Sequence, residues 1–104
     1  MSYDDLTTAQ RAVLLLASEE SPLGEVCLPV VIGDFEFKGA TRRDGRVLVG
    51  DLLQLGLIAL VEDNVVFANP DPRLAAMLAT DESWNAASRQ VTLCLTEQGE
   101  ALFF

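Results

Sequence analysis

The chain has 104 residues, half of them apolar, which is enough for one domain with its own core. Sixteen acidic against seven basic residues give a formal charge of -9, which favours solubility and repels a bare polyanion at long range. Histidine is absent, and no P-loop, GxSxG elbow or GxGxxG turn occurs, so binding without catalysis, metal or cofactor is expected.

No apolar run approaches the ~20 residues of a membrane span, and no basic segment leads a signal-like stretch. A cytoplasmic protein without membrane association follows as the expectation. Cys27 and Cys94 lie in apolar surroundings at no metal or redox spacing. They read as buried, reduced thiols, with a disulfide between them as the alternative.

In chain order, Thr7 opens a capping box with Gln10. Ala9, Val13, Leu16 and Ala17, with Ala12 and Leu14 beside them, then supply the apolar face of a first helix that ends near Glu20. The stretch from Leu23 to Ile32 has neither a helical nor an alternating period and carries Pro29 in its middle. It reads as a short second helix beginning near Pro29, or as an extended segment. Phe35-Glu36-Phe37-Lys38 alternates between Gly33-Asp34 and Gly39, which suits a brief strand or a loop with both aromatics inward.

The most informative stretch runs from Arg46 to Leu60. Leu48, Leu52 and Leu55 recur at helical spacing, with Val49 and Leu53 one step round. Gly56 is placed to stop the helix in a left-handed conformation, and Leu57 to Val61 follow as a strand. Thr41 either caps this helix or Asp44-Gly45 turns first and delays it to Arg46. After a turn at Glu62-Asp63-Asn64, Val65 to Ala68 return as a second strand. Asp71 and Pro72 are expected to start a short helix with Leu74, Met77 and Leu78 on one side, and Asp81 to Arg89, containing Trp84, forms a polar connector. The last strand places Val91, Leu93 and Leu95 on one face, and Thr96 caps a terminal helix.

Leu6 to Gln10, Leu52 to Ile58 and Val91 to Gly99 together resemble the winged helix-turn-helix superfamily, above all the MarR- and PadR-like bacterial regulators. Those families combine an LTxAQ-like opening helix, an LxxLGLI turn from helix to strand and a VxLTExG run into a following helix. The resemblance implies one α+β winged helix-turn-helix domain spanning residues 1–104, and the chain departs from the family pattern in a wing expanded by a partly helical insertion from Asn69 to Arg89.

By the same resemblance the chain is expected to be a prokaryotic transcription regulator that binds double-stranded DNA through the helix near residues 46–55. Lys38, Arg42, Arg43 and Arg46 place four of the seven basic residues within nine positions, at that helix's N-terminal end. An anion there meets free amides, the helix dipole and guanidinium groups together. Arg42, Arg43 and Arg46 are then candidates for phosphate or guanine, Gln54 for a base edge, and Arg73 and Arg89 for wing contacts.

The alternative expectation is an acidic interaction module, acting as adaptor, inhibitor or nucleic-acid mimic, that meets a protein with a basic surface and does not bind DNA. Asp4-Asp5, Glu19-Glu20, Glu62-Asp63 and Asp81-Glu82 supply its negative pairs. Trp84 reads as an interface anchor or as a pin for the insertion. Phe103 and Phe104 read as core or as a surface buried in a second subunit, and a homodimer is the expected assembly.

Overall fold

In a computed structural model, which describes residues 1–103, the capping box forms as expected. Thr7 accepts from the Gln10 amide at 3.1 Å, and the Gln10 side chain accepts from the Thr7 amide at 2.9 Å. Helix α1 (Thr8–Ser18) follows and buries Ala12, Val13, Leu14, Leu16 and Ala17. Glu20 then takes a left-handed φ of 53°, turning the chain so that the Ser21 carbonyl accepts from the Leu93 amide at 2.9 Å.

The second helical turn lies before Pro29, not after it. It is a 3-10 helix, Leu23–Cys27, whose last bond runs from the Leu28 amide to the Glu25 carbonyl. Pro29 excludes the helical region for the residue before it, and Leu28 accordingly sits at φ -110°, ψ 155°. Of the two readings for this stretch, the extended one holds beyond Pro29. Strands β1 (Val30–Ile32) and β2 (Phe35–Phe37) pair as a hairpin, with Gly33 at φ 58° in the turn. Phe35 and Phe37 are half-buried while Glu36 is exposed, as the alternation implies.

Thr41 caps α2 (Arg42–Gln54), accepting from the Asp44 amide at 3.1 Å, so Asp44-Gly45 lies inside the helix and does not delay it. Val49, Leu52 and Leu53 are buried, and Leu55, at the edge of the stripe, stays exposed. Gly56, at φ 74°, ends the helix in a Schellman arrangement. The Leu57 amide donates to the Leu52 carbonyl at 3.1 Å and the Gly56 amide to Leu53 at 3.0 Å.

Strand β3 (Ile58–Glu62) turns through Asp63 and Asn64, at φ 53° and 64°, into β4 (Val65–Phe67). Two left-handed residues are what a tight two-residue hairpin turn requires. Helix α3 (Arg73–Ala79) starts one residue later than expected. Pro72 holds the cap position, and the Asp71 carboxylate reaches past it to the Arg73 amide at 2.9 Å.

A 3-10 turn, Asp81–Trp84, precedes β5 (Val91–Leu95), which lies antiparallel to β3 with Leu60 opposite Leu93. Thr96 accepts from the Gly99 amide at 3.1 Å and so caps α4 (Glu97–Phe103).

Among the described residues, four α-helices and two antiparallel sheets make an α+β fold. The larger sheet has the order β4-β3-β5. Pro22 bridges to Thr92 along the outer side of β5. The core lies where α1, the 3-10 helix and α2 meet this sheet. Leu14, Leu23, Leu52, Ile58, Leu60 and Leu93 are fully buried there. None of the described helices is long and apolar enough to cross a membrane.

Candidate functional site

The cap at Thr41 fixes where the basic cluster goes. Because α2 begins at Arg42, Arg42 and Arg46 fall one turn apart on one side, and Arg43 points round towards the stripe that also carries Val47, Asp51 and Gln54. Arg43, Val47, Asp51 and Gln54 are all exposed. The outer face of α2 thus presents a cation, an apolar side chain, a carboxylate and an amide.

Arg42 and Arg46 do not face open solvent in the same way. The chain leaving α3 crosses this side of α2, and Asp81 accepts a hydrogen bond from Arg42 Nη1 at 2.8 Å. Arg46 Nη2 lies 3.6 Å from the same carboxylate oxygen. Arg46 Nε donates to the Leu78 carbonyl at 3.0 Å, and that carbonyl also accepts from Trp84 Nε1 at 2.8 Å.

Trp84 anchors the crossing. It is 4% exposed, so it lies inside the chain and not at the surface where an interface anchor would stand. A β-carbon at Gly45 would be 3.2 Å from its Cζ3, and one at Gly24 would be 2.2 Å from its carbonyl oxygen. Trp84 therefore fills the corner between the 3-10 helix and α2, reachable only because both neighbours are glycine. Beside it, Gly24, Cys27, Arg42, Asp81 and Glu82 line an open depression of about 570 Å³.

The other predicted residues are dispersed. Lys38 and Arg43 are exposed, and among the described residues their side chains have no ion pair or hydrogen bond. Arg73 is tied to Asp71 by two side-chain bonds of 3.0 and 2.6 Å and lies over the Phe67 ring at 4.5 Å. Arg89 donates to the Glu20 carbonyl at 3.2 Å. Gln54 lies at the far end of α2. Phe103 is half-buried, edge-on to Tyr3 with centroids 6.1 Å apart. Phe104 lies outside the described residues.

On β5, burial chiefly raises the Cys94 thiol above its ordinary value, and the charges of Glu20 and Glu100 add to the rise. Cys27 is raised by burial as well, and both cysteines are free thiols. Among the described residues no three Cys, Asp or Glu side chains converge as metal ligands.

The partner of the arginines, Asp81, was not foreseeable from spacing. It lies thirty-nine residues from Arg42 in a polar stretch with no periodicity. No family model matches the chain, and no curated protein or solved structure matches it significantly.

Proposed function

We propose that the chain is a winged-helix domain that works by binding a protein partner with a basic surface. The order of its elements supports the architecture. A first helix, a strand-like contact at Ser21-Pro22, a helical turn and a second long helix lead into β3, and β5 lies between β3 and the Pro22 bridge. In this reading β4, α3 and the 3-10 turn are the enlarged wing, and the β1–β2 hairpin is inserted between the two helices of the helix-turn-helix. The cytoplasmic location belongs to the same reading.

The observation that carries the choice of partner is the use of Arg42 and Arg46 by Asp81. A groove-reading helix neutralises several phosphates, and this one keeps Arg43 and the nearby Lys38 as cations without an internal partner. Carboxylates stay exposed around it, including Asp44 and Asp51 on α2 itself. Negative surface of this kind steers a basic partner and disfavours a phosphate backbone. Double-stranded DNA is the weaker candidate.

Affinity capture with wild type and with Asp44→Asn/Asp51→Asn, which neutralises the exposed carboxylates of α2, tests the proposal. The expected result is a basic protein retained by wild type, released as salt is raised, and lost by the double variant. Retention of no basic protein, together with tight and salt-sensitive binding of wild type to duplex DNA, would overturn it.

A further inference from the structure

Residues 78–84 leave α3 and turn back over the part of α2 between Arg42 and Gly50. The Leu78 carbonyl takes Arg46 Nε, a β-carbon at Gly50 would be 3.9 Å from Leu78 Cδ1, and Asp81 takes Arg42. The same segment packs on the 3-10 helix through Trp84, against Gly24 and Val26's neighbour Gly45. The corner between the two helices is therefore closed from within the chain.

Two guanidinium groups converging on one carboxylate oxygen is an arrangement that also holds a phosphate oxygen. We infer that residues 78–84 are an autoinhibitory cover, and that Asp81 occupies in cis the position a phosphodiester would take between Arg42 and Arg46. With Asp81 in place, α2 offers a polyanion Arg43 alone at its first turn. With Asp81 removed, Arg42 joins Arg43 as a guanidinium without a carboxylate and the Arg46 Nη groups lose theirs, while Arg46 Nε stays on the Leu78 carbonyl because Trp84 keeps the segment seated.

The Asp81 side chain is 76% exposed, so its removal opens no cavity. This inference goes beyond the protein-binding reading and is tested separately from it, since it concerns what the arginines do once unpaired and not which protein meets the acidic surface.

The test compares wild type, Asp81→Ala and Glu82→Ala for binding to a short fluorescent duplex across a salt series. Glu82→Ala changes the net charge by the same amount and leaves Arg42 and Arg46 paired. Trp84 fluorescence reports that the cover's anchor is still seated in each variant. Asp81→Ala is expected to bind at low salt, with a salt slope steeper than wild type by about one to two, at ~0.9 for each arginine whose Nη groups lose their carboxylate. Glu82→Ala is expected to match wild type, and Arg42→Ala added to Asp81→Ala to lose about half of the added slope. Equal behaviour of Asp81→Ala and Glu82→Ala, whether both bind or neither does, would overturn the inference.

Discussion

Trp84 lies so close to Gly45 that a β-carbon there would come within 3.2 Å of the indole Cζ3. The ring is held from the other side by its bond to the Leu78 carbonyl, so it cannot yield freely. Gly45→Ala gains ~1 kcal/mol of helix propensity but overpacks a fixed ring, which costs typically 1–3 kcal/mol. A net loss of about 1 kcal/mol is expected in chemical denaturation. Trp84→Ala empties the corner and should cost about 3–5 kcal/mol, and a loss below about 1 kcal/mol would show that the insertion is not anchored there.

Thr96 joins the two halves of the fold. Its hydroxyl donates to the Gly56 carbonyl at the end of α2 and accepts from the Gly99 amide at the start of α4. Gly99 is needed there because a β-carbon would collide with the Leu57 carbonyl oxygen. Thr96→Val keeps the shape and removes both bonds, leaving a capped amide and a carbonyl unsatisfied. The expected loss is roughly 1–3 kcal/mol by thermal or urea unfolding, whereas Thr96→Ser should retain most of the stability.

These local signals were legible in the sequence because they depend on near neighbours. Thr7 and Gln10, Gly56 after its leucines, and the alternation of Val91 and Leu93 each act within a turn or across one strand. The stretch around Pro29 was not legible, because its apolar residues serve a 3-10 helix and a hairpin in turn and neither repeats long enough to show a period. The fate of the arginines was not legible either. Arg42 and Arg46 looked like open cations since nothing in a linear pattern brings Asp81 to them. The glycines at 24 and 45 held the clue to that packing, and their meaning depends on Trp84 being between them.

Asp71 gives a pH-dependent handle on the insertion. Side-chain bonds from Arg73, followed by the Arg73 amide, hold its carboxyl at about 2, below the ordinary 3.8. The folded state thus favours the charged form, so its contribution is complete above pH 3.8 and is lost as pH falls through about 2. A carboxyl titration by NMR should find that low midpoint in wild type and a return towards the ordinary value in Arg73→Ala. An ordinary midpoint in wild type would mean the pair does not persist in solution.

Cys94 should be a slow nucleophile. Burial first, and Glu20 next, keep its thiol above the ordinary 9.0, so little thiolate is present at neutral pH. Its alkylation rate at pH 8 is expected to lie well below that of a free cysteine and to rise in Glu20→Gln. A rate equal to that of a small free thiol would place Cys94 in open solvent.

In the proposed reading the chain meets a protein, and its own Asp81 keeps the arginines of α2 from the DNA backbone. Duplex binding by wild type and by Arg42→Ala/Arg43→Ala/Arg46→Ala, followed from low to physiological salt, tests it most directly. Wild type is expected to bind weakly or not at all even at low salt, and the triple variant to differ little from it. Tight wild-type binding with a steep salt slope that the triple variant loses would contradict this reading and return the helix to the role of a DNA reader.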